Sequence, residues 1–417
     1  MNRLSQHIRC LFVVVIATVL SWDVSMEAQP CRDVMVLQGS EPLESYGMDT
    51  TVNWWAKTVP YSGMKRLWVN GRPTEAYQDV TMPVFSPDGD LWGAWGLLNT
   101  QWFLLSEGVA RKVVCTEPGD IVYGALSQTQ VISFFDGPQE YVRLGDRQYV
   151  AVQRRGAFCV SPLGTSVAWL QGPQTATQII INGKLLSTYE DVLLFGFWVD
   201  GKLMYAAKSG TQWRWYLGDE EVAGPYSDIR EARMNRAGNC AGAVVVQGGF
   251  SSVVLISDEY TRPVVSKQYP SIDALVLHPT EPMWAARVQQ PGNDIVLMTG
   301  VEYVAATQGT GRPWFTWDGK EMVFFGCDTD CFLSINGRRV PIQLNVPLDV
   351  TFVREPGSST YAMSTLTSLV VRELERKDIA VGTMCEETSK PRYNRKTRRY
   401  EALGRINQRL YLLNCVK

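Results

Sequence analysis

Histidine is almost absent. The 417 residues contain two, His7 and His278, and loss of an N-terminal leader would leave only His278. That excludes an H-E-x-x-H metal site. A Ser-His-Asp triad would have to use His278, and no G-x-S-x-G elbow offers it a nucleophile. Phosphate-cradling sequences are missing too. There is no G-x-x-x-x-G-K-[ST] and no G-x-G-x-x-G, and QGTGRPW stops short of the third glycine and the following helix. No cofactor is implied. Charge of either sign is not in excess: 40 Lys and Arg stand against 42 Asp and Glu, a formal net charge of −2. Such a balance leaves no electrostatic footprint for nucleic acid. No apolar run reaches the roughly 20 residues a membrane-crossing helix needs, and the middle of the chain lacks helical periodicity with caps.

The N-terminus has a pattern of its own. Arg3 and Arg9 precede an apolar run from Leu11 to Leu20, and small residues lie near Ala28. This is the form of a secretory signal over residues 1–28, the alternatives being an anchor or a buried strand. The expectation is a periplasmic or secreted protein that does not span the membrane. Cleavage would remove Arg3, Arg9, Asp23 and Glu27 and leave the net charge unchanged. It would also reduce nine cysteines to eight, an even number compatible with disulfides in an oxidising compartment.

The chain is rich in glycine (35), tryptophan (14) and repetition. MPVFSPDGDLWGAW at residues 82–95 returns in looser form as FCVSPLGTSVAW at 158–169. Anchored on the serine of that phrase, related contexts fall at Ser86, Ser127, Ser161, Trp198, Asn235, His278, Thr316 and Arg354, about 40 residues apart. A glycine follows three residues later at 89, 164, 201, 238, 319 and 357, where a tight turn needs positive φ. An alanine follows seven or eight residues after the anchor at 94, 168, 206, 243, 286 and 362, as a closely pressed strand would require. A second turn glycine recurs at 71, 108, 145, 183, 218, 300 and 337. Asp79, Asp120, Asp191 and Asp228 each precede an anchor by seven residues. A residue repeated in four units reads as structural, accepting backbone N–H groups at a corner.

Between the turns lie short runs such as LWGAW, KLMYAA and AGAVVV, bounded by turn residues and rich in β-branched and aromatic side chains. Four strands in some 40 residues, repeated, make the blade of a β-propeller. FSPDG followed by a strand ending in small residues resembles the WD40-like repeat of TolB-type propellers, over roughly residues 45–375. The resemblance implies an exported all-β propeller, often a platform for other proteins, and no enzymatic residues. If the first and last units share one blade, the expected number is eight, with seven as the alternative.

Residues 29–375 are thus assigned to the propeller and 376–417 to a C-terminal tail with a ring-closing strand. Cys327 and Cys331 flank a hairpin turn and are expected to pair, with no metal. Cys385 and Cys415 bracket the tail and are expected to staple it. Cys31, Cys115, Cys159 and Cys240 cannot be paired from spacing. The tail carries Lys390, Arg392, Arg395, Lys396, Arg398 and Arg399, either a solvated loop or a patch for an anionic glycan, lipid head group or acidic protein. Two functions follow. One is a non-catalytic platform for an envelope or extracellular protein. The other is a glycan-binding or glycan-cleaving propeller using pore carboxylates and Trp54, Trp55, Trp92, Trp95, Trp213 and Trp215. These tryptophans read first as packing between blades.

Overall fold

The computed structural model describes residues 29–415 apart from 39–40, 61–62, 107–108, 114, 261, 291–292, 300, 305–309, 342–350, 356, 365–366 and 374–377. The expected signal segment, residues 1–28, and the turn glycines 108 and 300 lie outside the described residues.

The β-branched and aromatic runs form ten sheets among the described residues. In chain order they span residues 43–77, 79–112, 117–151, 154–189, 191–226, 228–265, 271–304, 314–341, 351–381 and 387–415, here blades 1 to 10. Within a blade the strands are called a, b, c and d. The a strands of successive blades pack on one another, so they surround the axis and the d strands form the rim. Apolar clusters fill the gaps between neighbours: Trp95, Ile121 and Phe134 between blades 2 and 3, for example, and Phe195, Trp215 and Val254 between blades 5 and 6. Ala94, Ala168, Ala206, Ala243, Ala286 and Ala362 are fully buried on the b strands, joined by Ala56 and Ala402 of blades 1 and 10. A larger side chain there would push adjacent sheets apart.

The propeller therefore has ten blades, not the eight or seven expected from the repeat. The two ends do not share a blade with the first unit. Blade 1 stands alone, and residues 387–415, set apart in the sequence as a tail, supply the a, b and c strands of blade 10. Neither end blade carries an anchor, because their a–b turns dispense with Ser and Gly; in the sequence blade 1 shows only as a partial first unit with Gly71, and blade 10 only as a tail. In blade 1 the Asp49 carboxylate accepts the Thr51 and Asn53 N–H groups, and Val52 takes φ +64°. In blade 10 Asn394 Oδ1 accepts the Lys396 and Thr397 N–H groups, and Arg398 takes φ +54°. The same turn is made with other atoms.

The N-terminus completes the circle. Arg32–Leu37 pairs antiparallel with Arg409–Cys415 as the d strand of blade 10, while Gln29–Pro30 pairs in parallel with Asp378–Val381 of blade 9. Blade 10 then packs on blade 1 through Leu37, Leu403, Leu410, Leu43 and Trp54. Cys31, between the two N-terminal strands, is bonded to Cys415 across 384 residues. Cys415 thus does not pair with Cys385. The Cys385 thiol lies against Gly404, whose cross-strand partner is Tyr411, four residues along the strand from Cys415. That is about 13 Å at the usual rise per residue. Cys327 and Cys331, opposite each other at the end of the blade 8 b–c hairpin, form a second disulfide. Cys115, Cys159, Cys240 and Cys385 are free. Burial pushes the Cys115 and Cys385 thiols up to about 11 and Cys240 to about 12.

Candidate functional site

Antiparallel strands put every a–b turn and every c–d turn on one face, and the b–c and d–a loops on the other. The repeated phrase is the a–b turn. Its anchor accepts backbone N–H groups four or five residues ahead: Ser86 Oγ from Leu91, Ser161 Oγ from Thr165 and Ser166, Asn235 Oδ1 from Asn239 and Cys240, Thr316 Oγ1 from Glu321. Three residues on, the glycine N–H closes the turn onto the anchor carbonyl, as from Gly89 to Ser86 and Gly319 to Thr316, with φ +78° and +76°. The N-G turns work similarly: Asn70, Asn182 and Asn336 hold the first b-strand N–H through Oδ1.

Neighbouring a–b turns are also bonded to one another. Asn53 Nδ2 donates to Gly89 O at 2.7 Å, Leu126 N to Pro162 O at 2.9 Å, and Val199 N to Gly238 O at 2.7 Å. His278 accepts the Thr280 and Glu281 N–H groups on Nδ1 and donates from Nε2 to Gly319 O at 3.0 Å. The chain's one described histidine is a buried turn residue. In blade 9 the anchor Arg354 is buried against Glu321, 2.7 Å away, which also accepts the Gly357 N–H. Three of the four recurring aspartates, Asp79, Asp191 and Asp228, each accept the next residue's N–H at 2.9 Å at the start of an a strand. Asp120 instead pairs with Arg154 at 2.8 Å.

With anchor and glycine committed to the turn, the two residues between them point away from the blade, and here the copies differ. They converge over the axis. Arg236 of blade 6 lines a cavity of about 330 Å³ with Pro87 and Asp88 of blade 2 and residues 125–128 of blade 3. Arg395 of blade 10 lies over the Trp317 indole of blade 8, 3.8 Å from the ring centre. Lys396 reaches Asp90 of blade 2 at 3.9 Å. Leu126, Leu163, Val199 and Trp317, from the turns of blades 3, 4, 5 and 8, are each about half exposed. The mouth on this face is thus built from segments hundreds of residues apart.

Its charges are individually determined. Asp88 accepts from the Ser86 hydroxyl, the Gln128 amide and the Asp90 N–H, bonds that hold its carboxyl down at about 2. Asp318 accepts from the Thr316 hydroxyl and the Lys320 N–H, with Lys320 Nζ 3.6 Å away. Partial burial, then the nearby Arg236 charge, lower the Arg395 pKa against the opposing pull of Asp318.

The six basic residues of the C-terminal segment separate accordingly. Arg395, Lys396 and Arg398 are exposed on the blade 10 turn. Arg392, half-buried, lies close enough to Asp49 of blade 1 to feel its charge. Arg399 turns towards Asn414 at 3.5 Å, and Lys390 is exposed between the two short pieces of the a strand. The tryptophans considered for sugar stacking pack between blades: Trp54, Trp95, Trp213 and Trp215 are buried, Trp55 and Trp92 partly so. Trp317, which sequence reasoning passed over, is the one at the mouth. Its signal was position: it follows an anchor directly, where FSPDG has proline. Among the described residues no group of three or more His, Cys, Asp or Glu is arranged to hold a metal, and no helix is long and apolar enough to cross a membrane.

Fold and mouth together define a ten-bladed, N-terminally closed β-propeller. No protein-family profile matches the chain, and no curated protein matches it. Solved structures similar to it include a eukaryotic initiation factor at 11% identity, covering 72% of this chain and 87% of that one with a TM-score of 0.49. The Dos1 propeller is similar at 8% identity, 92% and 95% coverage and a TM-score of 0.38. TolB from Acinetobacter baumannii is similar at 10%, 61% and 75% coverage and 0.29. Likeness at this level is of fold and says nothing of a ligand.

Proposed function

We propose that this protein is an exported, non-catalytic propeller of TolB-like type that docks another envelope or extracellular protein on its a–b turn face. The observation that carries the reading is the mouth itself. Half-exposed Leu126, Leu163, Val199 and Trp317 lie on the same face as Arg236 and Arg395. Exposed apolar groups beside arginine and tryptophan are the composition of protein-binding hot spots. None of the six serves the turn that presents it, since other copies hold different residues at those positions. Two intramolecular disulfides suit an oxidising compartment, as does the apolar N-terminal run.

The test is affinity capture from envelope extracts with the full chain and two variants. Leu126→Glu/Leu163→Glu alters the mouth; Val150→Glu places the same charge on the exposed rim of blade 3. Capture lost with the mouth variant and kept with the rim variant is expected. Equal capture by all three would refute the reading.

A further inference from the structure

We propose that the mouth grips an acidic peptide segment, taking a carboxylate on the guanidinium groups of Arg236 and Arg395 and an aliphatic side chain in the adjoining cavity. This names the partner chemistry of the docking face and rests on that reading.

Neither arginine is in a direct ion pair with a described residue, although Asp318 lies near enough to pull on Arg395 and Asp88 shares the cavity of Arg236. Among the described residues neither has a carboxylate within 4 Å, whereas the acids around them are already engaged: Asp88 by Ser86 and Gln128, Asp318 by Thr316 and Lys320, Asp90 by Lys396. Arg395 spends the face of its guanidinium on Trp317. Stacking of that kind leaves the in-plane N–H groups unused, and they form the fork that matches a carboxylate. Keeping two like charges close costs free energy that a bound anion would relieve, in keeping with the effect of Arg236 on Arg395. Nothing in the fold asks for them. Arg236 follows the anchor Asn235, where other turns hold Pro87, Gln128, Pro162 or Val199, and Arg395 sits in the differently built blade 10 turn, after Asn394.

The cavity supplies the second half of the recognition. Arg236 forms one wall, and Pro87, Ala125 and Leu126 give an apolar one. Its size suits one or two side chains. The ionised Asp88, in the same wall, disfavours a multiply charged phosphate and leaves room for a single negative charge beside apolar groups. A peptide carrying Glu or Asp next to Leu or Val has both.

The experiment uses the full chain and a fluorescein-labelled peptide of alternating Glu and Leu, with the Gln–Leu peptide and inorganic pyrophosphate as comparators, read by anisotropy at low ionic strength. The wild type is expected to bind the Glu–Leu peptide at least tenfold more tightly than the Gln–Leu peptide. Arg236→Gln and Arg395→Gln are each expected to weaken it about tenfold, the scale of one lost charge-assisted pair. Thermal midpoints of both variants should match the wild type, because both side chains are exposed. The proposal is overturned by a double variant that binds within twofold of the wild type. No binding of the Glu–Leu peptide up to about 1 mM, or preferential binding of pyrophosphate through the same arginines, also overturns it. If the double arginine variant still captures its partner while Leu126→Glu/Leu163→Glu does not, the docking face stands and the carboxylate fails. If no mouth variant affects capture, the docking face itself fails.

Discussion

Gly201 and Gly319 hold the same place in blades 5 and 8, with φ +89° and +76°. A Cβ at Gly201 meets nothing within 4 Å, but one at Gly319 would lie inside the imidazole of His278. Gly201→Ala is therefore expected to cost only the left-handed backbone penalty, about 1–2 kcal/mol. Gly319→Ala must also displace the neighbouring turn, and at least about 3 kcal/mol is expected. Urea midpoints of the two variants measure the difference, and equal losses would mean that the turns are not in close contact. The positive φ was readable from the sequence, because only a tight turn explains glycine at so constant an offset. The steric contact was not, since it belongs to two blades at once. A second expectation concerns Asp88, whose folded pKa of about 2 lies below the ordinary value. Its stabilising contribution is complete above about pH 4 and lost as pH falls through 2. Thermal midpoints of Asp88→Asn and the wild type should differ at pH 6 and converge at pH 2. An undiminished gap at pH 2 would rule out the carboxylate as its source.

Among elements, the d strand of blade 10 has a special place. Arg32–Leu37 covers an edge that would otherwise present Arg409–Cys415 unpaired. An exposed edge of that length recruits another chain. Deletion of residues 29–37 is expected to convert the protein to dimers or larger species at micromolar concentration, seen by sedimentation velocity, because it uncovers the long edge of Arg409–Cys415. Blade recognition in the sequence depended on which atoms build the turn. Where Ser and Gly do so the unit was plain. Where Asp49 and Val52, or Asn394 and Arg398, do the same with other side chains, the strands had to be seen paired before the unit could be counted. The alternating strand pattern told less about number, because several short runs are compatible with more than one division into sheets.

At the scale of the whole molecule the two disulfides differ in reach. Cys327–Cys331 closes a hairpin already made by its own strands, while Cys31–Cys415 joins residues 384 apart. In the chain-entropy picture the short loop is worth about 2 kcal/mol and the long one about 6. Cys31→Ser/Cys415→Ser is thus expected to lower the urea midpoint more than Cys327→Ser/Cys331→Ser, with hydrogen exchange accelerated first in blades 9, 10 and 1. A larger loss from the short loop would contradict ring closure as the point of greatest leverage. The mouth, too, exists only at this scale. Trp317 and the cations of the C-terminal segment were visible one at a time. That Asp90, Arg236, Trp317 and Arg395 meet depends on blade number and on turns leaning towards the axis, and neither follows from spacing alone.

Arg32–Leu37 precedes blade 1 in the chain, yet its partner strand, Arg409–Cys415, follows blade 9. That segment meets its antiparallel partner only once Arg409–Cys415 has been synthesised. A chain cut short before blade 10 leaves Arg32–Leu37 with neither of its edges paired. The topology thereby makes the pairing of this strand contingent on blade 10.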